Sequence, residues 1–339
     1  MMPAETDPHE RTLMCWPARP QIWGRSLRQA QLDYAEIAQA ISRFEPVTMI
    51  CRPEAAELAA DLCGSDVSVR EISIDDSWCR DSGPIYVRSS SGERGIADFT
   101  FNAWGEKFLP YADDAQLVSR WCVGLPESRM AYDMVLEGGA LTVDGLGTLV
   151  TTQQTLMHPN RNPSMSRAHM EDVLHDALGV TTVVWLPYGL ALDDDTDGHV
   201  DNVAAFAGPG HLVMQGCSDT DEDDWLRMET NRRWAQDAFD AQGERINVLT
   251  VPVLPFTEVD DERLCVPYLN YYVANGAVFV PVTGHPADNE MLGLIGSAYD
   301  DREVVAVPGT TLALGGGGPH CVTQQVPAMA IDEHRRVVG

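Results

Sequence analysis

The sequence predicts an α/β protein. Three observations carry that expectation. Short runs rich in β-branched and aromatic residues recur along the 339 residues, segments of helix-forming residues with apolar positions at three-to-four spacing lie between them, and turn clusters punctuate the chain without any low-complexity linker to divide it. A single domain over 1–339 follows, with the elements alternating but no period regular enough to be a sequence repeat.

Taken in order, VTMIC (47–51) is the first strand, and PEAAELAADLC (53–63) after it is helical, with Pro at its start. VREISI runs as a strand into the turn-rich DDSWCRDSGP, and PIYV (84–87) and GIADFTF (95–101) continue as strands. SRAHMEDVLHDALG (166–179) is a helix that leads to the strand VVWL (183–186). EDDWLRMETNRRWAQDAFDA (222–241) precedes INVLTVPVL (246–254), and the strand AVFVPV (277–282) precedes the helix NEMLGLIGSAYD (289–300).

Composition narrows the partners. Hydrophobic content of 44% and charged content of 22% are those of a globular chain. With 51 acidic against 23 basic residues the net charge is −28, a field that repels nucleic acid and anionic membrane and attracts cations. There is no signal-like N-terminus and no run of 18 apolar residues, so the cytoplasm is expected. Eight scattered cysteines without a CxxC pair suit reduced thiols and disfavour a structural zinc site or a disulfide framework.

Four segments have the residue types of a reaction centre. LGGGGPHCVTQQVP (Leu314–Pro327) has neither the Lys of a phosphate loop nor the GxGxxG spacing of a dinucleotide loop, and Pro319 discourages an immediate helix. His320 and Cys321 are neighbours, expected on opposite faces of an extended chain, so they are a poor metal pair, and His320 is a poor proton partner for the thiol. A buried structural cysteine is the plain alternative, yet the glycines let a ligand approach and leave N–H groups to stabilise a thiolate. LDDDTDGHVDN (192–202) offers His199 as that partner. Asp193, Asp195, Asp197 and Gly198 mimic the opening of a calcium loop, but Ala204 stands where a bidentate Glu belongs. On a strand, His199 and Asp201 would share a face. DDSWCRDSGP places Asp81 after a strand, in a loop where its plain alternative is a turn cap. In VLEGGALTVDG, Glu137 is either exposed at a hairpin or bonded to something specific such as an imidazole.

Together with MPAE, CWPARPQIW, DFTFNAWG, HPNRNP and YLNYYVANG, in this order, these segments resemble the guanidino-group-modifying enzymes and most closely the agmatine deiminases. The resemblance implies a five-module pseudo-symmetric α/β propeller of ββαβ repeats around a central site. It implies catalysis with no cofactor and no metal. Cys321 is then the nucleophile, His199 the acid and base, Glu137 the carboxylate that orients it, and Asp81 and Asp201 the grip on a guanidinium. Asp195 is the position connected to the far ammonium of agmatine, and Trp78 and Trp104 are candidate walls for the aliphatic stem. The expected partner is a small cationic guanidino substrate, with no nucleic acid or membrane and with a homo-oligomer as an option. One departure stands beside the nucleophile, where the family's GGGNIHC is GGGGPHC here, with Gly318 and Pro319. Another small guanidine, or peptidyl-arginine, is the nearest alternative substrate. A guanidine-binding protein without catalysis is the alternative of another class.

Overall fold

The computed structural model describes residues 1–259 and 261–329. The expected mixture of strands and helices is present, and its strands fall into five sheets of one internal pattern plus a hairpin. In each of the five, an antiparallel pair is followed by a helical crossover to a parallel third strand, the connection that parallel pairing requires.

The first complete unit joins β4 (Ile85–Arg88), β5 (Arg94–Thr100) and β6 (Ser128–Val135), with helix Leu117–Trp121 in the crossover. The second joins β7 (Thr142–Val143), β8 (Thr148–Thr152) and β9 (Thr182–Leu186) through helix Arg167–Leu178. In the third, β10 (Ala204–Gly208), β11 (His211–Gln215) and β12 (Asn247–Val251) are linked by helix Asp223–Asp237. After the hairpin β13 (Phe256–Val259) and β14 (Glu262–Cys265), a fourth unit has β15 (Tyr272–Ala274), β16 (Ala277–Val282), helix Asp288–Gly296 and β17 (Glu303–Pro308).

The fifth unit is assembled from both ends of this region. Strand β18 (Thr323–Pro327) pairs antiparallel with β1 (His9–Cys15), Thr12 opposite Gln325. Helix Leu27–Ser42 then crosses to the parallel β2 (Val47–Cys51), and helix Ala56–Cys63 leads to β3 (Val67–Glu71). Burial explains the sequence character of these elements. All five residues of β2, VTMIC, are buried, as a strand between two parallel neighbours must be. Helix Leu27–Ser42 buries Ala30, Tyr34, Ile37, Ala38 and Ile41, a stripe at three-to-four spacing, in one core with Trp16, Trp23 and Phe279.

Of the sequence expectations, the strands at 47–51, 84–87, 95–101, 183–186 and 277–282 and the helices at 53–63, 166–179, 222–241 and 289–300 are found with their ends shifted by a few residues, and 246–254 narrows to Asn247–Val251. Two elements differ in kind. The segment around His199 and Asp201 is a 3₁₀ turn, Val200–Asn202, and DDSWCRDSGP folds into a short helical turn, Cys79–Ser82.

One regularity positions the site. Just ahead of the first strand of every unit comes an irregular segment or single helical turn: Cys79–Ser82 before β4, Gly138–Ala140 before β7, Val200–Asn202 before β10, the turn ending at Asn270 before β15, and the glycine run to Cys321 before β18. Five equivalent places in five units thus meet at one point.

Candidate active site

Cys321 is 2% exposed and lines a small cleft together with Ile22, Trp78, Asp81, Trp104, Phe108, Asp195 and Thr196. The glycines are there because backbone has to pass at contact distance. A Cβ on Gly317 would fall 2.6 Å from the Trp78 ring and 3.1 Å from Sγ, and one on Gly316, at φ +98°, would fall 2.5 Å from Asp195 Oδ2. The approach to Cys321 is a turn and not an extended strand: Val322 N–H donates to Gly318 O, and Thr323 N–H to His320 O. The expectation that His320 and Cys321 face apart is therefore corrected. Asp201 Oδ2 lies 2.9 Å from His320 Nδ1 and 3.4 Å from Sγ, so the two neighbours share one carboxylate oxygen.

His199 is wholly buried, with Nδ1 3.8 Å from Asp81 Oδ1 and Nε2 3.8 Å from Glu137 Oε2. Among the described residues neither ring nitrogen has a hydrogen-bond partner, and Glu137 Oε2 and Asp201 Oδ1 also lack one. Buried polar groups are normally satisfied, so several unpaired atoms around one thiol are the mark of a place that takes a polar ligand. Burial opposes the charge on His199, but Asp81, Glu137 and Asp201 outweigh it and raise its pKa to about 9.

Each carboxylate is held by a different device. Asp81 Oδ1 accepts from Gly139 N–H at 2.9 Å and Oδ2 from Trp104 Nε1 at 2.9 Å. Burial, reinforced by Asp201 and Glu137, still raises its pKa to about 6, against the pull of His199. Glu137 is neither exposed nor directly bonded to the imidazole. Its Oε1 accepts from Arg161 Nε at 2.6 Å, both side chains fully buried, which leaves Oε2 turned towards His199. Although burial opposes ionisation, His199 and Arg161 hold Glu137 below the usual carboxylate range. Asp201 is likewise held low against burial, chiefly by His320, whose other nitrogen is 2.9 Å from Glu5 Oε2. Burial comes first in raising the Cys321 thiol well above its ordinary value, with Asp201 and Asp81 adding to it.

Trp104 reaches the cleft from an unusual backbone. Ala103, Trp104, Gly105 and Glu106 all have positive φ, 53°, 55°, 87° and 63°, a left-handed turn that costs on the order of 1 kcal/mol for each non-glycine residue. It is held by the Trp104–Asp81 bond and by Asn102, whose Oδ1 accepts from Gly105 N–H at 2.8 Å and whose Nδ2 donates to Asn160 O at 2.9 Å. Strain kept this way beside the Cys321 thiol fixes an aromatic side chain in one orientation. Trp78, which also lines the cleft, is stacked on Trp23 with ring centroids 5.8 Å apart.

The loop that mimics a calcium site uses its acids internally. Asp193 accepts from Thr196 N–H and Oγ1, from His199 N–H and from Asn202 Nδ2. Asp197 is paired with Lys107 and Arg161, both at 2.7 Å. Asp195 alone of the three lines the cleft, its pKa raised by burial and then by Asp193.

All eight residues singled out from sequence therefore surround one cleft or its immediate backing. Sequence reasoning missed Asn270, Arg161, Asn202 and Glu5, and discounted His320. Glu5 and Arg161 lie in quoted motifs, MPAE and HPNRNP, where an isolated charge among Pro and Asn was the available signal.

The profile of the Porphyromonas-type peptidyl-arginine deiminase family matches residues 1–327. The chain is 39% identical to the agmatine deiminase of Pseudomonas aeruginosa strain LESB58 over 353 aligned positions, covering 96% of this chain and 95% of that protein. It is 37% identical to the agmatine deiminase of Stutzerimonas stutzeri strain A1501 with the same coverage. The solved agmatine deiminase of Enterococcus faecalis superposes with a TM-score of 0.93 at 30% identity, over 97% of this chain and 96% of that one.

Proposed function

The chain belongs to the Porphyromonas-type peptidyl-arginine deiminase family, and from that premise we propose that it hydrolyses agmatine to N-carbamoylputrescine and ammonia, with Cys321 as nucleophile and with neither metal nor cofactor. The observation that carries the reading is the cleft itself. A buried thiol lies 3.4 Å from Asp201, with Asp81 on the same cleft and a histidine set between Asp81 and Glu137.

A guanidinium is a poor electrophile because its charge is delocalised, and it reacts only when held flat and in line with the sulfur. Asp201 Oδ1, unpaired, and Asp81 are the acceptors for its N–H edges. The cation's charge offsets the two carboxylates and lets the thiol lose its proton. The thiolate adds to the guanidinium carbon, and His199 as imidazolium protonates one amino group, which leaves as ammonia. The amidino-thioether that remains is attacked by water as His199 takes the water's proton, and collapse expels the thiolate and the ureido product. Glu137, fixed by Arg161, keeps the imidazole oriented and basic.

Agmatine is favoured over arginine by what lines the cleft. Asp195 lines it, and no basic residue is among the described lining residues to meet an α-carboxylate. Lys107 is committed to Asp197 and to the carbonyls of Asp194 and Asp195. Enclosure of the thiol favours a small guanidine over a peptide. The five units of one pattern, with β18 closing onto β1, support a five-module propeller built as one domain. The eight unpaired cysteines suit a reducing compartment such as the cytoplasm.

The test is ammonia release and ureido product across agmatine, arginine, a peptidyl-arginine and simple alkylguanidines. Agmatine is expected to give the highest kcat/KM. A preference for arginine removes the substrate choice, and no ammonia from any of them removes deimination.

A further inference from the structure

Four of the five equivalent segments hold residues already considered: Asp81, Glu137, the His199 and Asp201 pair, and Cys321. The remaining one, ahead of β15, ends at Asn270, which is 1% exposed. Its side chain lies against the reacting atom: Nδ2 is 3.1 Å from Cys321 Sγ, while Oδ1 accepts from His320 N–H at 3.1 Å and Cys321 N–H at 3.4 Å.

The orientation of this amide follows from its neighbours. Asp193 is a carboxylate and only accepts, so Asn202 must turn Nδ2 towards it, at 3.0 Å. Asn202 Oδ1 is then an acceptor and takes one Asn270 Nδ2 hydrogen at 2.9 Å. The backbone N–H groups of His320 and Cys321 must meet an oxygen, which fixes Oδ1 and sends the second Nδ2 hydrogen to the sulfur. A relay from Asp193 through Asn202 to Asn270 thus aims an N–H donor at Sγ.

The glycine at 318 belongs to the same arrangement. A Cβ there would fall 2.5 Å from Asn270 Oδ1 and 2.9 Å from its Cγ, so any side chain at this position displaces the amide. The Asn270 amide favours the thiolate, whereas burial, Asp201 and Asp81 all oppose it.

We infer that Asn270 is a further catalytic residue, whose side-chain amide forms the thiolate hole for Cys321, and that Gly318 lacks a side chain to leave that amide in place. The inference rests on Cys321 being the nucleophile of the proposed reaction. The thiolate exists twice per turnover, before attack and again as the leaving group when the ureido product departs, and a donor aimed at sulfur favours both moments.

The test reads the sulfur directly. Asn270→Asp keeps Oδ1 for the two backbone N–H groups but removes the donor, and Gly318→Ala leaves Asn270 present but pushed aside. Alkylation of Cys321 by iodoacetamide is followed against pH, with the site assigned by mass spectrometry, alongside ammonia release from agmatine. In Asn270→Asp the alkylation midpoint is expected to move up by about one pH unit or more, a roughly tenfold slower reaction at neutral pH. Its kcat should fall about 100-fold while KM changes little. Gly318→Ala should shift the midpoint in the same direction. An unchanged alkylation profile in either folded variant overturns the inference, even if activity is lost. A shifted profile in a protein that deiminates no guanidine supports the thiolate hole and rejects the deimination reading instead.

Discussion

At the scale of single residues, the charges around His199 set the behaviour with pH. Burial, with Asp201 and Glu137, raises Asp81 to about 6, so its grip on a cation weakens as pH falls through that value. His199 is an imidazolium up to about pH 9, and the Cys321 thiol ionises later still. The reactive pair, thiolate with imidazolium, is then a minor form of the free enzyme whose share grows with pH. kcat/KM is expected to rise roughly tenfold per pH unit through the neutral range, more steeply below about 6, and to level off near 9. A profile already flat between pH 6 and 8 means the ion pair is preformed and the electrostatic account fails. Cys321→Ser should lower kcat by about a thousandfold or more while agmatine still binds, since the carboxylates remain; turnover near that of the parent removes the covalent route.

At the scale of elements, the short turns ahead of the strands hold the site, and their glycines are where a small change does the most damage. A Cβ on Gly139 would lie 2.5 Å from His199 Nδ1, 2.8 Å from Asp81 Oδ1 and 2.9 Å from Asp201 Oδ2. Gly139→Ala should therefore cost about 100-fold in kcat/KM, about 2.7 kcal/mol, and only about 1–2 kcal/mol of stability by denaturant titration. A larger loss of stability than of transition-state binding would make Gly139 a folding residue. The elements were unevenly legible in sequence. VTMIC and AVFVPV announce themselves because strands buried on both faces are nearly all apolar. By contrast, β1 (HERTLMC) opens with polar residues, since His9 meets the buried Glu45 and Arg11 meets Thr48. The left-handed turn at Ala103–Glu106 had only Gly105 to signal it, because tertiary bonds from Asp81 and Asn160 impose a conformation that local preference opposes. His199 and Asp201 were found from their spacing, but through a strand that is a 3₁₀ turn.

At the scale of the whole molecule, the charged members of the site were readable because each stands in a distinctive string of residues, whereas Asn270 was not. An uncharged amide among aromatics in YLNYYVANG has no chemistry of its own until the fold sets it against Cys321. The net charge of −28 favours cations, and binding should show in stability. In Cys321→Ser, which binds without turnover, agmatine at about 100 times its Kd adds about 2.7 kcal/mol, read as a rise in Tm. Calcium at millimolar levels should leave Tm unmoved, because Asp193 and Asp197 already have protein partners. Stabilisation by calcium and not by agmatine would restore the metal-loop reading.

The pairing of β18 with β1 also sets a timetable. During synthesis Asp81, Glu137, His199 and Asp201 are made before Cys321, and β1 waits without its antiparallel neighbour until more than three hundred later residues have been added. A contact of such sequence separation is slow to close. A partly made chain therefore has the acids but not the thiol, and the last unit to close is the one that arms the site.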